Sequence, residues 1–332
     1  MKNPIFGSAI LAAIALLSVG CGEKEKQYKD DPARAAEIQA RKEREKEAAN
    51  QPPPEYPATE ITEVPDGHFL YTCYSGRVSS TWSVSVGGEP KRHMAFGSPK
   101  YSPDGKRVLY AYFGDKTNKF ELGYKMASGG ELFDIASNDQ HDSVMGSWSP
   151  DGTQIVYVQK VKNPGDIAII NVDGTGARVI AAHPDMDESP SWSPDGKTIA
   201  FNSYRDGESG IYTVPVAGGK PTRITDEDEN CQSPVYSPDG KYMAMVVTYR
   251  HAETRKWVRD LRVVKLDDMS QRTLSKGNKM VAGVCWSPGS QWLVFGRDDG
   301  THSDLILVDI NGEKIAKVTD DEAKDSNPTW RP

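Results

Sequence analysis

The chain has 332 residues, of which 37% are hydrophobic and 9% aromatic, so it is long enough to bury a large core. Its 47 acidic residues outnumber its 40 lysines and arginines, which leaves a formal net charge of −7. That balance excludes a general nucleic-acid-binding protein, because such proteins need a basic face.

The first 20 residues have the pattern of a secretion signal. Lys2 precedes an apolar run at 10–17 that is too short to span a membrane comfortably. The small residues at 18–20 followed by Cys21 resemble the cleavage motif of bacterial lipoproteins, with Ser18 where that motif usually has leucine. We therefore expect a signal peptide at 1–20 and a lipid on Cys21, which would anchor the protein to a membrane.

Residues 21–58 have the composition of a spacer. Charged and small residues dominate 22–50, and the good helix formers at 35–49 form no apolar stripe. Four prolines between 52 and 57 then favour an extended backbone. We expect a flexible tether here and a folded domain at 59–332.

A short turn motif recurs through the folded domain and predicts its architecture. The proline of the motif recurs at steps of 38, 47, 44, 44, 50 and 44 residues, the period of a unit with four strands. Proline presets the first central position of the turn, and glycine supplies a positive φ. The copies are Val64–Gly67, Ser102–Gly105, Ser149–Gly152, Ser193–Gly196, Ser237–Gly240, the degraded Ser287–Ser290 and a final fragment at 329–332.

Each complete copy is surrounded by short strand-like segments. Around Pro194 these are 191–193, 198–202, 211–214 and 222–225, all rich in β-forming residues and separated by turn signals. An aromatic residue also precedes the turn in unit after unit, a regularity that favours packing between neighbouring sheets over ligand stacking. These aromatics are Tyr101, Trp148, Trp192, Tyr236, Trp286 and Trp330.

The pattern predicts an all-β fold, a six-bladed β-propeller of four-stranded blades. The segment 327–330 matches a first strand without later strands, so we expect it to join the first blade and close the ring. The copies at 148–152, 192–196 and 236–240 resemble the repeats of TolB-type propellers. This resemblance implies a location in the bacterial cell envelope, in the periplasm or at the outer surface, and a protein partner. TolB itself binds a peptidoglycan-associated lipoprotein through an architecture that includes an extra α/β domain, whose pattern is not found here.

The sequence offers little support for catalysis. No Gly-x-Ser-x-Gly motif occurs, which argues against a serine hydrolase. His141 and His183 occupy matching loops, but no further histidine set recurs to complete a lyase-type metal site. Cys73, Cys231 and Cys285 match no zinc spacing and are expected to be small buried residues with at most one disulfide. We predict no catalytic residue, no cofactor and no metal.

Acidic residues recur in the loops that enter each innermost strand. These loops share one face of a propeller, so their carboxylates would produce a negative potential at the channel mouth. A longer loop at 249–257 carries basic and aromatic side chains instead, and long insertions often determine binding specificity. The candidate partner-binding residues are Asp142, Asp187, Glu188, Asp226, Asp228, Arg250, Arg255, Trp257 and Asp325.

These observations predict a monomeric, lipid-anchored envelope protein that binds a protein partner through its loop face. Two alternatives are left open by the residues. One is a polysaccharide lyase or hydrolase that uses the channel face. The other is a sensor that binds Ca²⁺ or a small ligand at the channel mouth, since Ca²⁺ prefers oxygen ligands.

Overall fold

The computed structural model describes residues 67–75, 78–85, 87–94, 97–137, 140–161, 164–251, 254–278, 280–298, 302–320 and 323–332. This part of the chain folds into 24 β-strands and contains no helix, so the all-β prediction is confirmed. Accordingly, it contains no helix that could cross a membrane. The expected signal peptide, lipid attachment at Cys21 and tether lie outside the described residues.

The strands form four sheets of four antiparallel strands and one sheet of eight, and the four separate sheets confirm the predicted four-stranded sheets. For description we number the strands in six consecutive units. Units 2 to 5 are separate sheets whose strands follow one another in chain order. The strands are, for unit 1, β1 (His68–Ser75), β2 (Val78–Ser85) and β3 (Lys91–Met94); for unit 2, β4 (Gly97–Tyr101), β5 (Arg107–Gly114), β6 (Lys119–Met126) and β7 (Phe133–Ala136); for unit 3, β8 (Asp142–Trp148), β9 (Gln154–Lys160), β10 (Asp166–Asn171) and β11 (Arg178–Ala181); for unit 4, β12 (Asp187–Trp192), β13 (Thr198–Ser203), β14 (Gly210–Pro215) and β15 (Thr222–Arg223); for unit 5, β16 (Asn230–Tyr236), β17 (Tyr242–Arg250), β18 (Trp257–Lys265) and β19 (Gln271–Asn278); for unit 6, β20 (Met280–Trp286), β21 (Trp292–Asp298), β22 (Ser303–Asp309) and β23 (Ile315–Lys317); and last β24 (Lys324–Trp330).

Unit 1 is completed by β24, which takes the position of a first strand although it comes from the other end of the described chain. It pairs antiparallel with β1, with Phe69 opposite Trp330 and Leu70 opposite Thr329. A single parallel pair, Ser303 with Lys324, also links β22 to β24, so units 1 and 6 belong to one eight-stranded sheet.

The hydrophobic core is divided into six clusters, and each cluster lies between two units that follow one another. Ile155 and Tyr157 of β9 point into the cluster shared with unit 2, whereas Val156 and Val158 point into the cluster shared with unit 4. Both faces of such a strand are buried, which explains why the strand sequences read as continuous apolar runs instead of alternating ones. The remaining clusters join units 4 and 5, 5 and 6, 6 and 1, and 1 and 2.

The four Ser-Pro-Asp-Gly turns share one hydrogen-bonding scheme. In Ser149–Gly152 the amide of Gly152 donates to the carbonyl of Ser149 at 2.9 Å, and Gly152 has a φ of 68°. The Ser149 hydroxyl donates to the carboxylate of Asp151 at 2.6 Å and accepts from the amide of Gln154 at 2.9 Å. Serine, aspartate and glycine each have a separate role in the turn, which accounts for the repetition of all three.

The first strand of every unit contains a bulge that the sequence analysis missed. One residue in the strand, three positions before the aromatic, adopts a left-handed backbone, and the strand register shifts beside it. A β-carbon at Gly283, one of these positions, would lie 2.5 Å from the Cα of Asn327, so glycine is required there. The six positions are Ser98, Met145, Ser189, Ser233, Gly283 and Asn327.

Candidate functional site on the loop face

The strand directions place two kinds of connection at opposite ends of the units. The Ser-Pro-Asp-Gly turns end each first strand, so they lie at one end. The segments that lead into the first strands, and the hairpins that join the second strand to the third, lie at the other end, which we call the loop face. All nine candidate residues lie at this end, either in the connecting loops or in the strands beside them.

Asp187 and Glu188 begin β12 and are buried, with exposed fractions of 0% and 8%. Asp187 forms a bidentate ion pair with Arg205, whose Nη2 lies 3.1 and 3.0 Å from the two carboxylate oxygens. Glu188 lies 3.5 Å from Nζ of Lys160 in unit 3. Burial raises the pKa of both carboxyl groups, and the neighbouring cations oppose that shift. Both carboxylates therefore hold the start of β12 in place, and a large partner cannot reach them.

Asp325 and Asp142 lie near the starts of β24 and β8, with Asp142 the first residue of its strand and Asp325 the second. Asp325 is fully buried, and its backbone carbonyl accepts a hydrogen bond from the Ser303 hydroxyl at 2.7 Å. Asp142 is half-buried and accepts from the amide of Phe120 at 2.8 Å, which ties the start of β8 to unit 2. Asp325 is therefore closed to solvent, and Asp142 is held by a backbone amide of unit 2.

The loop that carries Asp226 and Asp228 is the part of the acidic set that faces solvent. Both residues are exposed. Arg223 shapes this loop, because its Nη2 donates to the carbonyl of Asp226 at 2.8 Å while its guanidinium lies 5.7 Å from the ring of Tyr212.

A buried charge cluster beneath this loop was not predicted. Glu229 is 3% exposed and lies 3.2 Å from Nη1 of Arg262, and Arg262 also approaches Asp260 at 3.9 Å. Burial raises the pKa of the Asp260 carboxyl, and the Gly277 amide and Arg262 oppose that shift. Arg262 comes from the neighbouring hairpin, and no motif in the sequence marks it. Its ion pair with Glu229 therefore could not be predicted from the sequence.

The β17–β18 hairpin is the most distinctive part of the loop face. Its two strands are nine residues long, longer than any other described strands. At its end the guanidinium of Arg250 lies 4.9 Å from the ring of Trp257, and Trp257 is 40% exposed. Arg255 has a left-handed backbone with a φ of 55°, and its amide donates to the carbonyl of His251 at 2.9 Å.

Three cations surround Trp257 on this hairpin. Arg250, Arg255 and Lys256 are exposed, and none of them forms an ion pair with a described residue. An aromatic ring covered by an arginine and rimmed by further cations can contact both apolar and acidic groups. Arg250, Arg255 and Trp257 are exposed at the end of the same hairpin, and we call these three residues the hairpin patch.

The histidines of the two matching loops each lie beside a polar residue of their own segment. His183 Nδ1 lies 3.5 Å from Asp185 in its own loop, and His141 Nδ1 lies 3.4 Å from the Ser143 hydroxyl. No group of three or more His, Cys, Asp or Glu among the described residues could hold a metal ion. Among the described residues, Cys73, Cys231 and Cys285 form no disulfide bond.

Four-stranded antiparallel units that pack in succession around their first strands define the β-propeller repeat proteins. Residues 90–332 match the family model described as the TolB beta propeller domain. The chain therefore belongs to the TolB β-propeller family.

Individual proteins are similar to parts of this chain. The chain is 30% identical over 94 residues to the Tol-Pal system protein TolB of Anaeromyxobacter dehalogenans, a stretch that covers 28% of this chain and 21% of the relative. TolB from Acinetobacter baumannii has a TM-score of 0.69 and 19% identity, over 80% of this chain and 67% of that one. A putative TolB from Agrobacterium tumefaciens has a TM-score of 0.56 and 19% identity, over 81% of this chain and all of that one. The chain spans about a fifth of the curated relative, and the structural likenesses show the fold alone.

Proposed function

We propose that this protein is a monomeric scaffold of the bacterial cell envelope, which binds a protein partner through the hairpin patch. In this proposal a lipid on Cys21 anchors the chain to a membrane. The tether at 21–58 holds the folded domain at a distance, and six blades closed by β24 present the loop face to the partner.

A circular set of hydrogen bonds supports six blades and their closure. The aromatic that ends each first strand bonds to the residue before the aromatic in the preceding unit. Trp148, Trp192 and Trp286 donate their indole N–H to the carbonyls of Lys100, Ser147 and Val235 at 3.0, 3.3 and 3.0 Å. The backbone amides of Tyr101, Tyr236 and Trp330 donate to Thr329 Oγ1, Ser191 Oγ and Cys285 Sγ at 3.3, 3.4 and 3.2 Å. The series returns to its starting unit after six steps.

The observation that carries the binding function is the hairpin patch. An exposed tryptophan beside cations that form no ion pair with a described residue is typical of the few residues that dominate a protein interface. The exposed Asp226 and Asp228 lie in unit 5's entry loop on the same face and would contribute to specificity. Asp142, Asp187, Glu188 and Asp325 would act indirectly, by fixing the loops that carry the contact residues.

Site-specific photo-crosslinking in envelope membranes tests this function. A photoreactive amino acid at position 255 should crosslink one specific envelope protein, whereas the same group at position 241, in a turn at the opposite end, should not. The Trp257→Ala variant should reduce the yield about tenfold, because loss of an interface hot spot costs on the order of 1–2 kcal/mol. Equal crosslinking from both positions would contradict the proposal.

Anchoring is tested separately. Replacement of Cys21 by alanine should move the protein from the membrane fraction to the soluble fraction without altering its thermal unfolding. A Cys21→Ala protein that stays with the membrane would exclude the lipid as its anchor.

A further inference from the structure

Six residues lie at one level around the inner strands. They precede the six aromatics and accept the hydrogen bonds just described, so we call them the inner ring. The first strands β4, β8, β12, β16, β20 and β24 contact one another in that order, and β24 also contacts β4. The inner ring consists of Thr329, Lys100, Ser147, Ser191, Val235 and Cys285.

Lys100 is the charged member of this ring, and no acidic residue occupies any of the six positions. Its side chain is half-buried and forms no ion pair with any described residue. Lys100 lies close enough to Cys285, two first strands away around the ring, for its charge to lower the pKa of the thiol. Burial nevertheless keeps the pKa of Cys285 above its ordinary value, so the thiol stays protonated near neutral pH and cannot balance the lysine.

Removing an ammonium group from water without giving it a counter-ion costs free energy. In agreement, burial lowers the pKa of Lys100. Two half-buried serine hydroxyl groups close to Lys100 in the fold can donate hydrogen bonds. Ser98 lies two residues earlier in the same strand, and Ser147 occupies the ring position of the next unit. Neither hydroxyl is bonded to a described residue.

We infer that the inner ring binds an oxyanion, a carboxylate or a phosphate group, with Lys100 as its counter-ion and the Ser98 and Ser147 hydroxyls as hydrogen-bond donors. Charge-assisted hydrogen bonds of this kind are about twice as strong as neutral ones. The site is independent of the hairpin patch, because Lys100 belongs to the inner strand of unit 2 and the patch belongs to unit 5. The oxyanion is either a free small anion or the carboxylate of a peptide that enters between the inner strands.

Thermal unfolding of the whole protein tests the site. Acetate or phosphate, titrated at constant ionic strength against chloride, should raise the Tm in a saturable way, by about 5 °C at a hundredfold excess over the Kd. The Lys100→Met variant should lose this response and should be more stable than the natural protein in chloride alone. Lys220→Met, which removes an exposed lysine, should retain the full response.

A second variant and a second ligand complete the test. Ser147→Ala keeps the charge and should weaken the apparent affinity about tenfold, the effect of losing one charge-assisted hydrogen bond. A short peptide with a free carboxyl end, compared with its amidated form, distinguishes the two sources. If only the free acid binds, and more tightly than acetate, the anion belongs to a peptide. An unchanged anion response in Lys100→Met, or no saturable response in the natural protein, would overturn the inference.

Discussion

The ion pair between Asp187 and Arg205 shows how a single residue on the loop face works. The carboxylate is fully buried, and the guanidinium also lies 4.8 Å from the ring of Tyr212 and 5.5 Å from that of Phe201. Arg205 therefore satisfies a buried charge and covers two aromatic rings at once. Its role is to keep the start of β12 in place, next to the loops that are exposed.

Removal of the cation alone should be costly. Arg205→Met leaves the Asp187 carboxylate buried without its partner, so we expect a loss of about 3–5 kcal/mol in the free energy of unfolding. Denaturant unfolding measures this loss. The double variant Arg205→Met, Asp187→Asn should recover most of it, and a double variant as unstable as the single one would show that the pair does not act as a unit.

The candidate site illustrates what the residues alone could predict and what they could not. The recurrence of acidic residues correctly placed them near the starts of the first strands. It could not separate exposed Asp226 and Asp228 from buried Asp187, because burial depends on Arg205, which lies in a different loop. The hairpin patch was predicted from the length and composition of its loop, both of which are local properties.

At the scale of the element, the turns were predictable and the bulges were not. Every turn repeats residues that determine its conformation directly. The bulged position is occupied by serine, methionine, glycine or asparagine, which share no conformational preference strong enough to be recognised. Proline follows the bulged position in four of the six units but not in the other two, so it does not identify the position either. Packing of neighbouring first strands imposes the bulge, and no single sequence window contains that information.

The turn of unit 3 should show a distinctive dependence on pH. Hydrogen bonds from Ser149 and from the Thr153 amide lower the pKa of Asp151 below its ordinary 3.8. A lowered pKa in the folded state gives stability that is present above pH 3.8 and is lost as the pH falls through the folded pKa. Ser149→Ala should therefore cost about 1 kcal/mol at pH 7 and progressively less below pH 3.8.

The degraded turn provides the matched control for this measurement. Ser287 accepts the amide of Trp292 at 3.1 Å, as its equivalents do, but Gly289 replaces the aspartate. The destabilisation caused by Ser287→Ala should not change between pH 5 and pH 3. If the two serine variants showed the same pH dependence in urea unfolding, the carboxylate would not be its source.

The aromatic residues that precede the turns should each contribute substantially to the free energy of unfolding. Trp148→Phe removes the hydrogen bond to the Lys100 carbonyl and part of the ring that lies 4.6 Å from the Arg107 guanidinium. We expect a loss of about 1–3 kcal/mol in thermal or urea unfolding. Trp257→Phe, on the exposed hairpin, should change stability by less than about 0.5 kcal/mol. Similar losses for both would contradict the packing role.

At the scale of the whole molecule, β24 connects the two ends of the repeat array. It supplies Trp330 to the cluster shared by units 1 and 6, where the ring packs against Phe69 at a centroid distance of 4.5 Å. Without β24, the edge of β1 and a fully buried phenylalanine would both be exposed to water. Such an edge is prone to pair with other chains.

Deletion of residues 324–332 should therefore abolish cooperative unfolding. We expect a broad thermal transition, binding of a hydrophobic dye and association into oligomers, measured by circular dichroism, fluorescence and light scattering. Deletion of Pro332 alone should leave a sharp transition. A monomeric truncated protein with a sharp transition would show that unit 1 does not depend on β24.

The same pairing has a consequence for the order in which the protein folds. Units 2 to 6 are built from neighbouring strands, so their pairing needs only short loops to close. Unit 1 must wait for a strand from the far end of the repeat array, and the closure of such a long loop slows folding. During synthesis β1 to β3 emerge first and yet are completed last. The earliest part of the domain thus spends the longest time unfinished, which makes it the segment most dependent on protection by chaperones.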